Sequence, residues 1–166
     1  MATTYEPIAT NTLGSAAASI SFSSIPATYT DLRVVLTATV TAGQVAWMRF
    51  NSDTGANYSG TYLEGSGTAA SSNVNTPATK ILIGTSTYLS TTIPSLLTAD
   101  IFSYAGSTYK TCLTSQNSDF NGSGYVNRQV HLWLSTSAIT SITLLLGSTA
   151  TYATGTTATL YGIKAA

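Results

Sequence analysis

The sequence predicts an all-β protein: a single-domain antiparallel β-sandwich of about nine or ten strands, with a jelly roll as its topology. Three observations carry this. Asp31–Val40 alternates, with Leu32, Val34, Leu36, Ala38 and Val40 on one face and Asp31, Arg33, Val35, Thr37 and Thr39 on the other; period two is the mark of a half-buried strand. Extended segments of this kind recur at short, regular spacing between clusters of turn formers, as in sandwiches. No stretch of helical length shows a 3.6-residue period, and antiparallel strands with one wet face suit two packed sheets.

Taken in order, residues 1–15 read as an extended N-terminal segment, since Pro7 and weak periodicity oppose a helix. Residues 16–23 alternate around Ala18, Ile20 and Phe22. Ile25–Tyr29 turns into the 31–40 strand, and Thr41–Gln44 turns into a returning strand at 45–50. Residues 51–57, Asn-Ser-Asp-Thr-Gly-Ala-Asn, are a dense turn, with Gly55 expected in the left-handed conformation. Residues 58–64 resume an extended pattern. Residues 66–77 read as the most polar and flexible loop, followed by a short strand at 80–84 and a polar loop at 85–92. A longer strand over 94–105 pairs through Gly106-Ser107 with 109–116, and 117–124 is a second polar loop. Residues 125–134 alternate, Val126, Val130, Leu132 and Leu134 against Gln129, His131 and Trp133. The aliphatic set is expected to face the core and the other set to form a partly exposed row. Strands at 139–146 and 157–164 close the chain. The domain is thus expected over 16–166, with residues 1–15 as an arm able to clamp a neighbour by strand addition.

Composition narrows function by exclusion. Of 166 residues only 7% are charged, with net charge zero, yet 43% are hydrophobic; this is a folding composition, not a disordered one. Ser and Thr supply about a third of the chain, well above ordinary usage. The six basic residues, Arg33, Arg49, Lys80, Lys110, Arg128 and Lys164, are scattered, whereas a nucleic-acid groove needs them clustered. No apolar run reaches membrane-spanning length, and residues 1–13 lack the basic and apolar regions of a signal peptide. The expectation is a protein made in the cytoplasm, with neither nucleic acid nor membrane as partner.

Chemistry-bearing residues are few. Cys112 is alone, which precludes an internal disulfide and suits a small core residue. The carboxylates Glu6, Asp31, Asp53, Glu64, Asp100 and Asp119 stand in no recognisable catalytic context. Asn51–Gly55 spaces oxygens like a calcium loop but lacks the further acids and the closing Glu; a turn is the plainer reading. His131, the lone histidine, would have to serve any histidine-based triad, and its row with Gln129 and Trp133 suits an interface better. Tyr and Trp side chains, Tyr88 among them, fit sugar platforms, core or interface anchors. No cofactor and no metal is expected. The residues singled out for interface or ligand contact are Tyr5, Trp47, Asp53, Asn57, Tyr58, His131 and Trp133.

Three strings carry a resemblance. YEPIATNTLGSAAASISFSSIPATYTDLRVVLTATV at the start, WMRFNSDTGANYSGTYLEGSGTAASS in the middle and TATLYGIK at the end are similar to segments of small structural β-sandwich proteins of tailed bacteriophages, notably cyanophages. The resemblance spans Tyr5 to Lys164. It implies a virion component without enzymatic activity: a homotrimeric capsid decoration (cement) protein on the particle exterior, bound across major capsid protein subunits. The alternative it implies is a tail-fibre or receptor-binding domain, in which the Tyr/Trp platforms and the 66–77 and 117–124 loops are expected to read host cell-surface glycan.

Overall fold

The structure, a computed structural model, describes residues 4–84, 89–147 and 149–164. Among them are twelve strands and no helix: β1 (Tyr5–Thr12), β2 (Ser19–Phe22), β3 (Asp31–Ala38), β4 (Ala46–Phe50), β5 (Tyr58–Gly65), β6 (Ala70–Ala78), β7 (Ile81–Gly84), β8 (Ser95–Ile101), β9 (Lys110–Asp119), β10 (Gly124–Trp133), β11 (Ile142–Leu146) and β12 (Thr157–Ile163). They form two antiparallel sheets, one of eight strands in the order β1-β12-β3-β8-β9-β10-β5-β6 and one of four in the order β2-β11-β4-β7. The sandwich is as expected. The jelly roll, in which eight strands divide evenly between two sheets, is not established by this division of eight and four.

Two of the twelve strands fall where none was expected. The N-terminal lead-in is β1, paired with β12 from Tyr5↔Ile163 to Thr12↔Thr157. Its backbone lies on its own domain, tied down further by Lys164 Nζ on Glu6 Oε1 at 2.9 Å and by hydroxyl contacts Thr10–Thr159 and Thr12–Thr157. The polar 66–77 segment is mostly β6, an edge strand on β5. Both lie at the two margins of the large sheet, where backbone hydrogen bonds to one neighbour hold a strand without an apolar face. The 117–124 loop shrinks to a turn, because β9 runs on to Asp119 and β10 starts at Gly124. Of the 85–92 loop, residues 85–88, with Tyr88, lie outside the described residues.

The core forms where the small sheet covers the large one. Leu32, Val34, Leu36 and Ala38 of β3 are buried as their alternation requires, together with Leu97, Ala99, Ile101, Cys112, Ala158 and Leu160. Facing them are Ile20, Phe22, Ala46, Met48, Phe50, Ile142 and Leu144. Four strands cannot roof eight. Beyond this apolar core, the inner face of β9 and β10 is buried but polar: Thr114, Gln116, Ser118, Asn127, Gln129 and His131.

Register makes one glycine obligatory there. Gly60 stands opposite His131 in the β5–β10 ladder, and a Cβ at residue 60 would lie 2.2 Å from His131 Nδ1. Gly60→Ala should cost about 1–3 kcal/mol in urea unfolding, the usual penalty for forcing atoms into a filled interior. Gly14→Ala, with nothing within 4 Å of the new Cβ, should be near neutral in the same measurement.

Candidate functional site

The structure gathers four of the singled-out residues into one cluster. Trp133 ends β10 in the core, 2% exposed, with its ring edge-on to Phe50 at 5.5 Å and stacked on Tyr58 at 6.3 Å. Its indole N–H needs an acceptor once buried. The 51–57 turn provides it: Trp133 Nε1 donates to Asp53 Oδ2 at 2.7 Å. Asp53 Oδ1 accepts the Gly55 N–H at 2.8 Å, the Asx turn its residue type favours. Asn57 Nδ2 donates to both carboxylate oxygens, at 3.0 and 3.2 Å. Tyr58 Oη accepts from the Phe50 N–H at 3.3 Å and lies 3.3 Å from the Asp53 carbonyl.

Partial burial alone would push the Asp53 carboxyl up, but the bonds from Trp133, Asn57 and Gly55 and the Arg49 charge hold it below the usual range. Burial pushes the Tyr58 phenol up to about 12. The carboxylate oxygens therefore already serve protein N–H donors, and the turn acts as a clip across the end of the sandwich. No group of three metal-ligating side chains occurs among the described residues. The left-handed backbone lies at Asn51 (φ 50°) and Ser52 (φ 57°) and not at Gly55. Asn51, read from the sequence as one member of this turn, is an anchor: its Oδ1 accepts from the Thr140 and Ser141 N–H groups at 2.8 and 3.1 Å, and its Nδ2 donates to the Ala138 carbonyl at 2.8 Å.

His131 requires a correction. It is 3% exposed, and Gln129 and Trp133 beside it are buried too, so this face of β10 is the inner one. The alternation is as expected; its direction is reversed. Nε2 of His131 lies 3.3 Å from Thr114 Oγ1, whose hydroxyl donates to the Leu82 carbonyl at 3.4 Å. Neighbouring amides bond to one another: Asn127 Oδ1 accepts from the Gln116 N–H and from Gln129 Nε2, and Asn127 Nδ2 donates to Gln116 Oε1, while Gln129 Oε1 is buried without a partner among the described residues. Burial lowers the His131 pKa from 6.5 to about 4, against the pull of the Leu82 and Ser59 carbonyls. The ring is thus neutral and structural at neutral pH.

Tyr5 and Trp47 join neither group. Tyr5 is exposed on β1 at the far margin of the large sheet. Trp47 lies on the outer face of the small sheet, with Lys80 Nζ 4.6 Å from its ring centroid.

The reversal of β10 puts aliphatic side chains on the outside. Leu63, Val74, Val126 and Val130 are 64%, 61%, 57% and 45% exposed. The ladders place them on one face: Val130 opposite Leu113 and Thr61, Thr61 opposite Val74, Arg128 opposite Leu63, and Leu96 opposite Asn117, which is opposite Val126. A shallow groove of about 380 Å³ crosses this face between Thr61, Val74, Thr111, Val130 and Leu132. The other half of the same outer face is coated by hydroxyls, Thr10, Thr12, Thr37, Thr98, Thr157 and Thr159, with the Arg33–Asp100 ion pair at 3.3 Å.

The two polar loops singled out for outside contact do meet. Their turns, around Gly65–Thr68 and Asp119–Gly124, border a cleft of about 740 Å³ with Asn117 and Val126. The Tyr125 hydroxyl donates to the Glu64 carboxylate beside it. Comparison with family models, curated proteins and solved structures finds no match for this chain.

Two outcomes test this site. Asp53→Ala strands a buried indole N–H, so unfolding free energy should fall by about 1–3 kcal/mol, with a red shift of Trp133 fluorescence. For His131, the folded-state pKa is depressed, so the unfolded chain binds the proton first. Stability is full above pH 6.5, falls as pH drops towards about 4 and is flat below. The loss attributable to His131 should approach about 3 kcal/mol, read as the difference in chemical denaturation between pH 7 and pH 4. A His131→Gln variant should lack that component.

Proposed function

We propose that the protein is a structural component of a tailed-phage particle, a decoration protein on the capsid exterior that reinforces the shell by bridging major capsid protein subunits. The observation that carries the reading is the outer face of β5, β6, β9 and β10, where aliphatic side chains stand in solvent while amides and a histidine are buried beneath them. Isolated exposed aliphatics are ordinary; a contiguous set on one sheet face is the character of a surface that is covered in use. The phage-like strings from Tyr5 to Lys164 supply the setting. A bridging subunit stabilises a shell because expansion must break its contacts as well as those between capsid subunits.

The residues that chemistry would use have structural occupations. Asp53 holds the Trp133 indole, His131 is sealed against Gly60, and Cys112 is buried in the core with its thiol pKa pushed up by burial. A second reading is favoured by one feature, the cleft between the 65–68 and 119–124 turns. Its hydroxyls, amides and Asp119 suit a neutral glycan, which would make the protein a receptor-binding domain.

Electron cryomicroscopy of particles from an infection that expresses this chain separates the two. Density for the sandwich on the capsid lattice is expected, and particles lacking the protein should release DNA at a lower temperature. Density confined to the tail, together with binding on a glycan array that Asn117→Ala and Asp119→Ala abolish, would replace the first reading by the second.

A further inference from the structure

The aliphatic face carries an unusual charge arrangement. Five of the six cations have an occupation: Arg33 on Asp100, Lys164 on Glu6, Lys80 over Trp47, Arg49 on the Thr79 carbonyl and Lys110 on the Thr108 carbonyl. Arg128, exposed on β10 between Val126 and Val130, has no ion pair or hydrogen bond among the described residues. Among the carboxylates, Asp119 accepts a single hydrogen bond among the described residues, at Oδ1 from the N–H of Asn121 in its own turn. The β9–β10 register puts both on one face. Arg128 stands opposite Ser115, and Asp119 lies four residues further along β9, opposite Gly124. They are roughly 14 Å apart along the strands, too far to pair within one chain. Midway between them lies the pair Asn117↔Val126.

We infer that this face is a self-complementary interface, covered by a second copy of the same chain with Arg128 of each copy meeting Asp119 of the other. A two-fold axis lying in the interface and crossing the strands at Asn117–Val126 reverses the strand direction of the second copy. The copy's Asp119 end then lies over Arg128, and its Arg128 over Asp119. The aliphatics Leu63, Leu96, Val126 and Val130 fall around the two ion pairs, the anatomy of an interface with an apolar body and few, matched charges. Size agrees: five strands, β8, β9, β10, β5 and β6, and the length from Thr111 to Asp119 span roughly 24 by 27 Å. That is about 650 Å², close to the ~800 Å² per partner of a stable complex. Sheets packed face to face in this way keep their strands nearly aligned.

The inference names what covers the face on which the structural reading rests, so that contacts to capsid subunits fall to other surfaces of the pair, and it relies on that reading for the presence of many copies. It specifies pairing where the resemblance implies a trimer. Its test needs no particle, so its failure and that of the capsid assignment are separable. Sedimentation equilibrium of the purified chain should give a dimer. Arg128→Glu and Asp119→Lys should each raise the dissociation constant by tenfold or more, and the double variant should recover to within a few-fold of the parent. Asp119→Asn keeps the turn contact to Asn121 and should weaken pairing less than Asp119→Lys. All three side-chain changes are at exposed positions, and unchanged circular dichroism and melting temperature verify folding. A monomer at every accessible concentration, a trimer, or a dimer indifferent to both charge reversals would overturn the inference.

Discussion

The burial of Trp133 sets the phase of half the molecule. A strand has only two ways to present its faces, and a shift of one residue exchanges them completely. In β10 the choice lies between burying Tyr125, Asn127, Gln129, His131 and Trp133, or burying Val126, Arg128, Val130 and Leu132. The first set wins because the second contains an arginine at its centre, and because Trp133 finds both an aromatic nest in Phe50 and Tyr58 and an acceptor in Asp53. Burying the second set would desolvate a guanidinium with no acid opposite it, at a cost of several kcal/mol. With Trp133 inside, period two puts His131 against Gly60 and turns Val126, Arg128 and Val130 outwards without further instruction. The neighbouring strands follow through the ladders, so the exposed aliphatic face is the outer consequence of one buried indole.

The 51–57 turn is therefore best understood as part of that anchor. Its polar residues look like ligands in the sequence, and as ligands they behave, but for the protein's own N–H groups. Asp53 closes the Asx turn, accepts the indole N–H and is steadied by Asn57, while Asn51 from the same turn pins residues 138–141. A run of turn formers thus joins β4, β5, β10 and the segment leading into β11 at one end of the sandwich.

What could be read in the sequence follows from which signals are local. Period two in residues 31–40 located β3 and its inward face, because one set there is wholly apolar and the other mixed. Residues 125–134 have the same period, but the two sets differ in kind, aliphatic against aromatic and amide. Choosing between them needs the Asp53 acceptor and the Gly60 gap, both brought in from 70 or more residues away. β1 and β6 escaped for a different reason. As margins of the large sheet they bury little side-chain area, and Pro7 or a serine and asparagine run carries no apolar period. Their evidence is a row of backbone hydrogen bonds to β12 and β5, which sequence does not display. The meeting of the 65–68 and 119–124 turns was beyond reach as well, since it depends on β5 and β10 being neighbours.

The polar seam beneath the aliphatic face explains how such a face can exist on a stable domain. A four-stranded sheet covers only part of an eight-stranded one, and the uncovered strands would ordinarily bury aliphatics inward against nothing. Here the inner positions are filled by amides and hydroxyls that bond to one another and to Leu82, so most polar groups of the half-roofed region are paired without a full apolar partner layer, Gln129 Oε1 being the exception among the described residues. That arrangement releases the aliphatic positions of β5, β9 and β10 to the outside, where the chain has almost no charge to oppose close contact. An interface of this kind gains little from electrostatic steering, so its association is expected at ordinary rates and its lifetime is set by the area and fit it buries. If the face pairs as inferred above, slow release suits a component that must stay in place once assembled.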